Sequence, residues 1–135
     1  MLRLTSMELA EVIDYWRRLS DEKWKTTEAL MEKERYADAL FFAHLSLEAL
    51  LKAVVVEHTG EQAPRVHDLV KLTYLAGLLP DDEQKKQLQL INTFNIAGRY
   101  DDEKFALYKK ATRDYASDHV NKADTLRTWT QNKQQ

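Results

Sequence analysis

The chain has 135 residues, 44% of them hydrophobic and 31% charged, with a net charge of −2 at neutral pH. That is one domain's worth of chain, apolar enough to bury a core and therefore not disordered. The absence of Cys excludes disulfides, thiolate metal sites and a Cys nucleophile. The mildly acidic balance excludes binding to nucleic acid through overall charge alone.

With only three Gly and two Pro, long helices are favoured over a many-stranded sheet. The N-terminal MLRLTSMELAEV lacks the apolar core of a signal peptide. No apolar run approaches about 18 residues without a charge, so a cytoplasmic protein with no membrane span is expected. The first helical pattern runs from about Glu8 to Lys33, with Leu9, Val12, Ile13, Trp16 and Leu19 on one stripe and Thr5 or Ser6 as cap. Charges crowd at Glu34-Arg35-Tyr36, which reads as a tight turn. A second helix follows, apolar almost all round, and stops at Thr59-Gly60 before Pro64. His67-Asp68 opens a short helix that Gly77 and Pro80 close. Asp81-Asp82 starts the next, where two acids complement the helix dipole, and it runs toward Gly98. RYDDEKF reads as an irregular link, and a last helix spans about Thr112 to Asn132. No repeat, linker or low-complexity stretch interrupts these elements. The expected fold is one all-α domain over 1–135, a four- to five-helix up-and-down bundle with its core at about 8–130.

His44, Glu48 and Lys52 recur every four residues on the apolar second helix. Such a spacing drifts only modestly around a helix, so they form one polar stripe. Burying titratable groups unpaired costs several kcal/mol. The stripe is therefore either an internal ion-pair ladder or the wall of a functional cleft. His44-x3-Glu48 is also a spacing that metal sites use, but a site needs further ligands, and none is paired with it in the sequence. His67 sits where a short helix begins and reads equally as a turn residue. Arg99-Tyr100 follows Gly98, placed to face a cleft or to pair with Asp101, Asp102 or Glu103. No Gly-rich phosphate loop, Gly-x-Ser-x-Gly or His-Glu-x-x-His is present.

Three blocks, taken in order, resemble the HEPN domain, a small all-helical family of prokaryotes and some eukaryotes. Leu47-Glu48-Ala49-Leu50-Leu51-Lys52-Ala53 is similar to the family's acidic-x-x-x-Lys core helix. Pro64-Arg65-Val66-His67-Asp68-Leu69 is similar to its Arg-x-His-Asp-Leu element. Asn95-Ile96-Ala97-Gly98-Arg99-Tyr100 is similar to its small-residue-Arg-Tyr-Pro segment, and Ala123 to Trp129 to its closing helix. The resemblance implies a helical bundle that dimerises, and an association with a minimal nucleotidyltransferase in toxin–antitoxin or stress-response pairs. It marks Glu48, Lys52, His67, Arg99 and Tyr100 as matching polar positions, implying a nucleotide- or phosphate-binding cleft; no cofactor and no metal are expected. The family's catalytic branch cleaves RNA without metal through Arg-x4–6-His near the start of the last helix. Here Asp101 replaces the proline, and no His follows Arg99 at that distance. Arg113 and His119 have the spacing, which in a chain with eight Arg and four His is close to a chance expectation. In that alternative, His119 is a general base on the ribose 2′-OH or an acid to the leaving oxygen, and Arg113 stabilises the phosphate. A third alternative is a helical interaction scaffold whose stripe is purely structural.

Overall fold

The computed structural model describes residues 3–133, and among these the only regular structure is six α-helices. They are α1 (Ser6–Glu32), α2 (Tyr36–Thr59), α3 (Leu69–Leu75), α4 (Asp82–Arg99), α5 (Asp101–Lys110) and α6 (Arg113–Asn132). α1 starts at a capping box in which the Thr5 hydroxyl accepts from the Glu8 N–H and the Glu8 carboxylate accepts from the Thr5 N–H. Asp81 and Gln84 repeat that arrangement at α4. Glu34 takes a left-handed φ of 61° in the α1–α2 turn, which lets so short a connection reverse the chain. Gly60, at φ 73°, ends α2 in the conformation that suits a residue without Cβ.

α2 is the axis of the bundle, with α1, α3, α4, α5 and α6 all packed against it. This explains its apolar circumference: Leu40, Leu47, Leu51 and Val56 are fully enclosed, and Leu69, Leu88, Ile91, Phe94 and Leu126 close over them from the other helices. By length and hydropathy α2 could cross a membrane, yet 83% of that window is buried inside the protein, as for a core helix. α1 and α2 approach closely at Ser20 and Ser46, both enclosed. Each hydroxyl donates to the other residue's carbonyl, at 2.7 and 2.8 Å, fixing the register of the hairpin.

The structure corrects one element. The segment after Arg99, expected to be irregular, is helix α5, so the bundle has six helices rather than four or five. Its stabilisation is end-weighted: Asp101, Asp102 and Glu103 fill the first turn and Lys109 and Lys110 the last, each complementing the dipole. Only Leu107 of α5 is buried, which is why no apolar stripe marked it. Gly98 likewise does not end α4, which continues through Arg99. A Cβ there would collide with the Phe41 ring, so the missing side chain is what lets α4 lie against α2.

Candidate functional site

The polar stripe of α2 runs along the most enclosed part of the molecule: His44, Glu48 and Lys52 are all buried. Lys52 Nζ donates to Glu48 Oε2 at 3.1 Å and lies 5.1 Å from the centre of the Trp16 ring. The chain between α2 and α3 then folds back over the stripe. The His67 carbonyl accepts from His44 Nε2 at 3.1 Å, and the His67 ring places Nδ1 3.1 Å from Glu48 Oε1. His44 therefore carries its proton on Nε2, leaving Nδ1 without a hydrogen-bond partner, 3.8 Å from Glu48. Burial pushes the His44 pKa down to about 4, outweighing the attraction of the Glu48 carboxylate. At neutral pH the contact between His44 and Glu48 is thus not an ion pair.

α4 supplies the outer half of the site. Arg99 points an N–H at His67 Nε2 at 3.0 Å and donates Nε–H to Asn95 Oδ1 at 3.3 Å. A guanidinium can only donate, so His67 Nε2 accepts and its proton resides on Nδ1, donated to Glu48. Asn92 clamps the loop from the other side, accepting from the Leu69 N–H and donating to Asp68 Oδ1, both at 2.9 Å. Asp68 Oδ1 also accepts from the Val70 and Lys71 N–H groups as the N-cap of α3. The result is one hydrogen-bonded chain, Lys52–Glu48–His67–Arg99–Asn95, leading from the core to solvent. At its outer end lies a hollow of about 290 Å³ lined by His67, Asp68, Asn92, Asn95 and Ile96.

Four residues singled out from sequence, Glu48, Lys52, His67 and Arg99, are therefore joined. They do not all face the hollow. The Lys52 ammonium is held by Glu48 and Trp16 in the interior, while His67 and Arg99 stand at the surface. The stripe is an ion-pair ladder at its inner end and a cleft wall only through His67. Tyr100, 62% exposed, stands at the junction of α4 and α5. Asn92 and Asn95 escaped the sequence reading. Asn95-x3-Arg99 is an i, i+4 pair that was there to be read, whereas the role of Asn92 depends on where α3 begins in space.

Arg113 and His119 are engaged separately. Arg113 donates to the Tyr36 hydroxyl at 3.1 Å and pairs with Glu34 at 2.7 Å across the α1–α2 turn, and these bonds raise its pKa. His119 is buried in the second turn of α6, its ring 4.3 Å from that of Tyr115 and 5.8 Å from that of Phe94, with burial lowering its pKa. No group of three or more His, Asp or Glu among the described residues is arranged to hold a metal ion.

No curated protein sequence matches this chain. Its fold is similar to that in the crystal structure of TT1696 from Thermus thermophilus, with a TM-score of 0.73 and 20% identity over 90% of this chain and 97% of that one. The family model described as HEPN domain matches residues 13–133, which takes in α2, the folded-back loop and the Arg99 end of α4 alike, and the chain belongs to the HEPN domain family.

Proposed function

We propose that this HEPN domain binds the phosphate of a nucleotide or of RNA at the His67–Arg99 hollow and acts beside a nucleotidyltransferase-type protein in a toxin–antitoxin or stress-response pair. The observation that carries the reading is the relay from Glu48 through His67 to Arg99. A buried carboxylate fixes the imidazole, and the imidazole and Asn95 together hold a guanidinium at the rim of a hollow. Such a preorganised guanidinium suits phosphate, whose oxygens accept two parallel N–H bonds. Asn92 and Asn95 offer amide groups beside it, and Tyr100 follows directly in the chain as a ring on which a base stacks. Lys52 contributes by pairing with Glu48 and fixing its carboxylate rather than by touching the ligand.

Dimerisation belongs to the same proposal. Tyr100, Phe105 and Tyr108 are 62%, 60% and 73% exposed close to Arg99 in the chain, on a helix that buries only Leu107. A second copy covering that face gives α5 the burial it lacks. Sedimentation of the parent as a dimer, and of an F105E/Y108E variant as a monomer, is the expected result.

The ligand reading is tested by thermal shift with nucleoside mono-, di- and triphosphates and a short single-stranded RNA. A ligand at 100 times its Kd adds about 2.7 kcal/mol of stability. Arg99→Ala should weaken binding by roughly 10- to 100-fold, the worth of a charge-assisted hydrogen bond. No shift with any of these ligands, or an unchanged affinity in Arg99→Ala, refutes it. Endonuclease action through Arg113 and His119 remains an alternative supported by spacing alone. RNA cleavage in the presence of chelator that disappears in His119→Ala would replace the binding reading with it.

A further inference from the structure

α1 and α6 both pack on α2, and a groove runs between them that two ion-pair contacts close at its ends. At one end Arg127 meets Asp21 at 3.4 Å, and at the other Arg113 meets Glu34 at 2.7 Å. Between these staples lies a hollow of about 380 Å³ whose apolar surface is Trp24, Met31 and Val120 and whose charged groups are Glu28 and Asp124. No cation lines it. Glu28 is exposed and takes part in no hydrogen bond or ion pair among the described residues.

Arg127 shows what this surface accepts. Its guanidinium is buried 4.6 Å from the centre of the Trp24 ring and reaches Asp124 at 3.7 Å as well as Asp21. Three carboxylates, of Asp21, Glu28 and Asp124, thus surround one guanidinium, an excess of two negative charges beside an indole face. An aromatic ring with adjacent carboxylates is a receptor for a cation on an apolar stem.

We infer that the α1–α6 groove receives the arginine or lysine side chains of a basic, leucine-containing segment of a partner protein. The carboxylates take the cationic heads, and Trp24, Met31 and Val120 take the stems and the neighbouring leucines. A polyamine satisfies the charge but leaves the apolar floor uncovered. A second copy of this chain is a poor occupant, because its exposed helix α5 sets Asp101, Asp102 and Glu103 against its lysines and so offers no net positive charge to the carboxylates. The inference stands apart from the anion site, since it uses none of the residues at the His67–Arg99 hollow.

The test is fluorescence anisotropy of a labelled peptide of about twelve residues alternating pairs of arginine and leucine, titrated with the full chain. Two variants block the groove by different means: Glu28→Lys reverses a charge of its lining, and Ser117→Arg fills it from within. An E11K/E83K variant reverses two exposed acids elsewhere. Both groove variants, once shown to melt at the parent's temperature, should bind about tenfold more weakly, and E11K/E83K within about twofold of the parent. Equal weakening in all three variants would mean attraction to an acidic surface and would overturn the proposal. So would the absence of binding by the parent, or displacement of the peptide by an equal concentration of spermidine.

Discussion

Replacing Lys52 by methionine separates the two roles open to the α2 stripe. Lys52 and Glu48 are 6% and 8% exposed and 3.1 Å apart, and the remaining donor to Glu48 is the His67 Nδ1–H. Methionine keeps the stem's packing against Trp16, with a favourable sulfur–aromatic contact, but removes the charge that balances a buried carboxylate. Breaking such a pair on one side costs roughly 3–5 kcal/mol. The lower figure applies here, because the His67 Nδ1–H still donates to Glu48 once the ammonium is gone. With an unfolding entropy of about 2.1 cal/mol/K per residue, the 135-residue chain loses roughly 10 °C of melting temperature for 3 kcal/mol. The assay is urea unfolding at pH 7.5 of the parent, K52M, E48Q and the double variant. In the E48Q background the K52M penalty should fall below about 1 kcal/mol, because no buried carboxylate is left to balance. A K52M protein within about 0.5 kcal/mol of the parent, or an equal penalty in both backgrounds, would refute the buried ladder.

Three further perturbations probe the scaffold that holds the site. His44 has a folded pKa of about 4 against an unfolded value near 6.5, so the unfolded chain takes up the proton first. The stability due to its neutral burial is whole above about pH 6.5 and is lost as pH falls toward 4, roughly 3 kcal/mol in all. His44→Gln keeps a donor toward the His67 carbonyl and does not titrate, so its stability should fall less steeply over that window; parallel curves would contradict the assignment. Gly98→Ala gains about 1 kcal/mol of helix propensity but drives a methyl into the Phe41 ring, at a cost of roughly 1–3 kcal/mol. A net loss of stability is expected by thermal melting, relieved when Phe41 is shortened to Leu; a stabilised G98A would show that the ring yields freely. Asp68→Ala removes the α3 cap and the Asn92 clamp together, so a loss of about 1–2 kcal/mol should be accompanied by weaker nucleotide affinity as His67 loses its support. Unchanged affinity would mean that the clamp does not position the imidazole.

Local chemistry made much of this fold legible. The capping boxes at Thr5 and Asp81, the stop at Gly60 and the cap at Asp68 rest on contacts within a few residues, and each stands where the sequence signals it. α5 was missed because its stabilisation comes from charges at its two ends, while periodicity reports only buried faces. The reciprocal bonds of Ser20 and Ser46 were invisible for a related reason: nothing in either residue's neighbourhood names a partner 26 positions away.

The candidate site divides along the same line. The pairing of Glu48 with Lys52 was readable from the chain, since i, i+4 spacing on a helix leaves little choice, and so was the central place of a helix that apolar. Packing between helices settled the rest: the His67 ring folds back onto Glu48 and hands a fixed lone pair to Arg99, and Lys52 is turned inward to Trp16. Those outcomes depend on where separate helices meet. A hydrogen bond spanning 19 or 32 residues is set by the packing of whole elements, which no short stretch of chain encodes.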